Sequence, residues 1–113
     1  MDKVYVFLAE GFEEIEAVVP IDILRRAGAK VQTAGVSGKR VRGSHNIEIT
    51  ADITLDDVTD DAAMIILPGG MPGTDNLQKS QKTVEIVKKY YNAEKYIAAI
   101  CAAPKILGEL ELL

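Results

Sequence analysis

An α/β fold is predicted for this chain, with a mainly parallel sheet covered by helices on both faces. Three observations predict it. Short apolar runs, Val4–Ala9, Ala62–Leu67 and Tyr96–Ile100, read as strands buried on both sides. Helical segments separate these runs, the alternation that builds parallel sheets. The 113 residues, 48% hydrophobic and 27% charged, suffice for one domain with a real core and no more.

The elements follow in order. Val4–Ala9 is rich in β-branched and aromatic residues, as buried strands are. Gly11 follows it, and a helix runs from about Glu13 to Ala27. Gly28 stops that helix where a left-handed residue is commonly needed. Pro20, inside it, either kinks the helix or opens a fresh first turn. Residues 30–36 form the next strand, and Ser37-Gly38-Lys39 a turn. Residues 40–50 read as an irregular extended segment or hairpin. Residues 55–61 form an acidic loop with room for one helical turn. After the strand Ala62–Leu67, the run Pro68-Gly69-Gly70-Met71-Pro72-Gly73 is a rigid loop of tight-turn residues. Ser80 caps a helix reaching about Asn92, with Val84, Val87 and Tyr91 as its buried stripe. Cys101 ends the strand Tyr96–Ile100, and a further helix begins around Ala102-Ala103-Pro104, proline suiting a first turn.

Charge and composition exclude several function classes. The 13 basic and 17 acidic residues leave a net charge of −4, with no basic face for nucleic acid. The small clusters Lys39, Arg40, Arg42 and Lys88, Lys89 read as solvated surface. No apolar run approaches membrane-span length, and the amino terminus lacks a signal-peptide pattern. One cysteine excludes an internal disulfide framework. Together these features predict a cytoplasmic protein. One cysteine and one histidine do not make a zinc site, so no metal is expected. Gly69-Gly70 lacks the spacing and lysine of a phosphate loop.

Ligands of open α/β sheets bind beyond the carboxyl ends of the strands. Three unusual segments fall there: Glu10–Glu16, Leu67–Gly70 and Ile100–Pro104. In a parallel sheet they share one edge. Cys101 occupies a strand-to-helix turn of the kind that lifts a nucleophile out of a sheet. The start of the next helix favours thiolate over thiol, and Ala102 and Ala103 leave the elbow uncrowded. The backbone N–H groups of Gly70 and Ala102 suit a developing oxyanion. The competing reading makes Cys101 a small buried hydrophobe. Glu13 and Glu14 read as carboxylates that favour a helix amino terminus. Glu16 precedes a largely apolar stretch and needs a partner. Protonated, it would donate a hydrogen bond to a thiolate; ionised, it would disfavour one. His45, the only histidine, sits in the irregular segment and reads as surface, with lining of the site as the alternative.

These segments carry a family resemblance. Ala9-Glu10-Gly11-Phe12-Glu13-Glu14-Ile15-Glu16, then Pro20-Ile21-Asp22-Ile23-Leu24-Arg25-Arg26-Ala27-Gly28, Leu67-Pro68-Gly69-Gly70 and Ala99-Ile100-Cys101-Ala102-Ala103-Pro104 closely resemble the ThiJ/PfpI superfamily. The nearest branch is that of the Parkinsonism-associated protein deglycase. The resemblance runs along essentially the whole chain. It implies a flavodoxin-like fold, a homodimer and Cys101 as the reactive nucleophile. Glu16 matches the family's protonated glutamate beside that cysteine, and Gly70 the glycine whose N–H faces the sulfur. Gly69 and His45 are possible site-lining positions, His45 lying where some relatives carry an arginine.

The activity implied is that of a cofactor-independent glyoxalase or deglycase acting on methylglyoxal or related carbonyls. Alternatives are an oxidative-stress sensor or a chaperone using oxidation of Cys101. A protease-like role is disfavoured, because Ala102 stands where that branch has histidine. An amidotransferase-like role needs a later histidine and acid. Relatives continue past the elbow helix with further strands, a helix and often a histidine. The expectation is therefore a single 1–113 ThiJ/PfpI-like domain lacking its carboxyl-terminal strands and helix, a segment removed or held as a separate piece.

Overall fold

The computed structural model describes residues 2–113. Five strands form one fully parallel sheet: β1 (Lys3–Leu8), β2 (Lys30–Gly35), β5 (Ile53–Thr54), β6 (Met64–Leu67) and β7 (Tyr96–Ala99). Their spatial order is β5-β2-β1-β6-β7. The chain thus builds outward from β1 in one direction, then crosses back and builds in the other. Such a reversal opens a crevice at the carboxyl ends of the strands beside it, here β1 and β6. The residual strands, β3 (Arg40–Arg42) and β4 (Glu48–Thr50), pair with each other as an antiparallel hairpin. Of the two readings open for residues 40–50, the hairpin is the one observed. β5 follows it, an edge strand of two residues too short to register as a periodic pattern.

Alternation along β1 sorts the core. Val4, Val6 and Leu8 face α1 (Glu14–Arg26) together with Phe12, Ala17, Ile21, Val41 and Ile66. Tyr5, Phe7 and Ala9 face the other layer with Leu67, Leu77, Val87 and Ile106. That layer holds α2 (Gly73–Lys79), α3 (Gln81–Asn92) and α4 (Pro104–Glu109). Val6, Phe7 and Leu8 are wholly buried. Each such large side chain contributes about 1.5–3 kcal/mol, which makes β1 the spine of the fold.

Local signals explain the helix ends. The Glu13 side chain accepts from Ile15 N–H at 3.3 Å and caps α1. Gly28, at φ +94, ends it, and the Gly28 and Ala29 N–H groups return to the Arg25 and Leu24 carbonyls. α1 runs unbroken through Pro20, which has no N–H to give the carbonyl of Glu16. Ser80 accepts from Thr83 N–H at 3.1 Å and caps α3. α2 was not anticipated: the glycine- and proline-rich loop ends earlier than its composition implies, and a two-turn helix starts at Gly73. The buried face of α3 is Thr83, Ile86, Val87 and Tyr90 rather than Val84, Val87 and Tyr91. Tyr91 is 46% exposed. The face is rotated because Tyr90 reaches inward to donate its hydroxyl to the Thr59 carbonyl at 2.7 Å. At the opposite side of the sheet, Asp52 accepts from Thr33 N–H at 2.9 Å and from Arg25 at 3.0 Å, tying β5 to β2 and α1.

Candidate active site

The loops after β1, β6 and β7 meet at one edge, as parallel neighbours must. In the β6–β7 ladder Leu67 stands opposite Ala99. Two residues farther along each chain, Gly69 and Cys101 are level. A β-carbon built on Gly69 would lie 3.1 Å from the Cβ of Cys101 and 2.6 Å from Oε1 of Glu16. The Gly69 N–H donates to that same oxygen at 3.0 Å. Glu16 and Cys101 therefore flank one glycine, and only a glycine leaves them room.

Cys101 is exposed, which removes the reading of a buried hydrophobic cysteine. Its φ is +58, a left-handed value. For a residue with a β-carbon this costs about 1–2 kcal/mol, and such strain collects at functional turns. The strand holds until the residue before it: Ile100 N–H donates to the Leu67 carbonyl at 3.2 Å. The Ala103 N–H then closes the elbow onto the Ile100 carbonyl at 3.0 Å, and Pro104 opens α4.

Gly70 also has positive φ, +100. A side chain there would strike the Glu13 backbone, with the Gly11 carbonyl oxygen 2.9 Å away. That closeness packs the loop after β6 against the loop after β1. Glu13 N–H donates to the Gly69 carbonyl at 2.9 Å, and Gly73 N–H to the Gly11 carbonyl at 3.1 Å. Among the described residues, the N–H groups of Gly70 and Ala102 have no protein acceptor. They are the two donors placed by sequence beside the elbow.

His45 lies elsewhere in the network. It sits at the tip of the β3–β4 hairpin, two-thirds exposed, with Nδ1 3.0 Å from Glu14 Oε1 and 3.6 Å from Glu13 Oε2. Its hydrogen bonds run to Glu14 and the neighbouring Ser44 hydroxyl, not to Glu16 or Cys101. Glu14 departs from its expected role as a simple partner of the helix dipole. It is only 6% exposed and turned into the hairpin tip. Burial by itself would raise its pKa. The His45 ring and the backbone N–H groups of His45 and Ile47 outweigh that and hold the carboxyl at about 2. In return Glu14, and then the charge of Glu13, raise the pKa of His45. A tight Gly43–Ile47 turn leaves N–H groups that need an acceptor.

A sequence model of the DJ-1/PfpI family matches residues 2–113, with both glycines and the cysteine elbow inside the match. The chain belongs to the DJ-1/PfpI family. Similar DJ-1/PfpI relatives include the Parkinson disease protein 7 homolog of Danio rerio, 40% identical over 108 residues. That match covers 93% of this chain and 57% of the zebrafish one. A deglycase of Thermococcus kodakarensis is 31% identical over 106 residues, covering 93% of this chain and 63% of the relative. Among solved DJ-1/PfpI structures, oxidized Toxoplasma gondii DJ-1 superposes with a TM-score of 0.96 at 40% identity, over 100% of this chain and 63% of that one. The chain thus spans about three-fifths of the relatives it matches. The neighbours share the flavodoxin-like parallel sheet. Among the described residues no helix is long and apolar enough to cross a membrane.

Proposed function

We propose that Cys101 is a nucleophile toward small reactive carbonyls such as methylglyoxal, in a glyoxalase or deglycase reaction. The observation that carries this is the left-handed, exposed Cys101 standing level with Gly69, whose N–H holds Glu16. The deglycase name of the Thermococcus kodakarensis relative supports the reaction class.

The chemistry follows from that geometry. The thiolate adds to the aldehyde carbon, and the carbonyl oxygen becomes an alkoxide facing the N–H groups of Gly70 and Ala102. Protonation gives a hemithioacetal. Its carbon-bound hydrogen then leaves as a proton and is returned to the neighbouring ketone carbon, with the Glu16 carboxyl as the group within reach. Water cleaves the resulting thioester. Methylglyoxal plus water yields lactate, with oxidation of one carbon balanced by reduction of the other. The cycle uses no cofactor.

Three further parts complete the proposal. The solvent face of α1 carries Ile15, Val18, Val19 and Ile23, all exposed, a stripe suited to a homodimer contact. The outer edge of β7 is open: Tyr96 and Ile100 donate inward to β6, so Ile97 and Ala99 turn their backbone groups outward. We propose that a strand continuing the single 1–113 domain pairs there, together with a histidine, from a longer chain or a separate piece. An unpaired cysteine fits residence in the cytoplasm.

The test is lactate formation from methylglyoxal, and release of glycated amines, by the 113-residue chain and by the chain extended to the length of its relatives. Cys101→Ser abolishes turnover in whichever form is active; unchanged turnover rules the mechanism out. A second reading, a sensor or chaperone switched by oxidation, is favoured by the exposed thiol with no second cysteine to resolve it. Mild peroxide then adds two oxygens to Cys101, whereas oxidation confined to the methionines counts against it.

A further inference from the structure

We infer that Glu14 is a positioning residue, fastening the β3–β4 hairpin to the first turn of α1 and so keeping Glu16 and the Gly69–Gly70 turn in register with Cys101. The inference rests on the reading of Cys101 as the nucleophile, and it concerns a buried carboxylate that the proposed chemistry does not use.

A carboxylate that is nine-tenths buried must be matched by donors, or it would be neutral or expelled. Glu14 is matched by one short stretch of chain. Its Oε2 accepts from the N–H of His45 at 2.8 Å and of Ile47 at 3.3 Å. Its Oε1 meets the His45 ring at 3.0 Å and the Ser44 hydroxyl at 3.4 Å. The turn lies so close that a β-carbon on Gly43 would run into the Glu14 carboxyl. Other bonds fix the same joint: Ser44 N–H to the Phe12 carbonyl at 2.8 Å, Gly11 N–H to the Arg42 carbonyl at 2.8 Å, and Arg42 N–H to Glu10 at 3.1 Å.

The hairpin has no ladder to the main sheet. Its orientation depends on this joint and on Val41, wholly buried against β1 and α1. Segment 10–16 is therefore held from two sides. The hairpin grips it through Glu14, and the loop after β6 grips it through Glu13 N–H on the Gly69 carbonyl. Glu16 is two residues beyond Glu14 in the same helical turn, so it projects from a different side of α1. Releasing the hairpin leaves the first turn of α1 held from one side only. The bond between Glu16 and Gly69 N–H is the first contact of the site to feel that change.

The experiment compares Glu14→Gln with Asp52→Asn. Asp52 is another carboxylate that joins separate elements, accepting from the Thr33 N–H and from the Arg25 side chain, but it sits away from the site edge. The readouts are amide exchange at Ser44, Ile47 and Gly69, and the rate of Cys101 alkylation by iodoacetamide, all measured well below each variant's melting temperature. In Glu14→Gln the exchange of all three amides is expected to rise, and alkylation to fall, by about tenfold. In Asp52→Asn the Gly69 amide and the alkylation rate stay at the parent values despite a lowered melting temperature. Where Glu14→Gln does not fold, His45→Gln removes one of the four donors, and the same readouts move the same way by a smaller factor. The proposal is overturned if Gly69 exchange and Cys101 alkylation are unchanged in the Glu14 or His45 variant. It is equally overturned if Asp52→Asn shifts them as much. Neither readout is turnover, so a chain that lacks glyoxalase activity refutes the proposed function and leaves this test intact.

Discussion

Gly69 and Cys101 follow the paired ends of β6 and β7, and a β-carbon on Gly69 would come within 3.1 Å of the Cβ of Cys101. Gly69→Ala puts a methyl group 2.7 Å from the Ile100 carbonyl oxygen as well as against Glu16 and Cys101. The backbone oxygen cannot step aside without moving β7. The substitution is expected to destabilise by about 1–3 kcal/mol, as overpacking does. It is also expected to slow Cys101 alkylation about tenfold, since reactive groups tolerate little displacement. Urea titration and labelling kinetics on the same sample check both.

The elbow sets stability against reactivity. Cys101 holds φ +58, which glycine adopts freely. Cys101→Gly should therefore be more stable than Cys101→Ala by about 1 kcal/mol, although both lack the thiol. Equal melting temperatures for the two variants would show that the turn is unstrained.

The hairpin latch predicts a pH dependence whose sign can be worked out. Glu14 is lowered from 4.5 to about 2, so its contribution is complete above pH 4.5 and is lost as pH falls toward 2. His45 is raised above 6.5, so its contribution is complete below pH 6.5 and is lost as pH rises through its folded value. Both are present together between about pH 4.5 and 6.5. The difference in melting temperature between the parent and His45→Ala should be largest there and shrink toward pH 9. A difference that stays constant across the range contradicts the pairing.

The apolar stripe on α1 makes a prediction about assembly. Val19→Glu with Ile23→Glu places two carboxylates on a face already in solvent, at 46% and 58% exposure. The fold should lose less than about 1 kcal/mol, as exposed positions do. Sedimentation should shift from dimer to monomer. A parent that is already monomeric at high micromolar concentration removes that face from consideration.

Much of the fold was legible because its strands are short, apolar and set between helices. The parallel direction of β1, β6 and β7 followed from that alternation, and the convergence of Glu16, Gly69 and Cys101 followed from parallel strands having one carboxyl edge. β5 was invisible because two residues carry no period. α2 was hidden by Gly73 and the prolines before it, which read as loop even though a helix accepts glycine at its first position. The α3 face was misjudged by one residue, because Tyr90 and Tyr91 offer the same bulk and only the partner of the Tyr90 hydroxyl distinguishes them. Glu14 was the most consequential omission. Next to Glu13 and Glu16 it looked like one more acid at a helix start, and its partners lie about thirty residues away in a hairpin that no local pattern could orient.

One consequence of the sheet order concerns how the molecule fails. Cys101 hangs from β7, the outermost strand, which in this chain is zipped along one side only. Glu16 and Gly69 hang from the interior, beside β1. Gentle heating should therefore peel β7 and α4 away before the spine gives way, as lightly held segments open at lower free energy than the whole. The proposed Cys101-dependent turnover would disappear at a temperature where circular dichroism still reports most of the helix. The chemistry of this protein would then be its most fragile property, and added chain zipped against Ile97 and Ala99 would bring the two temperatures together.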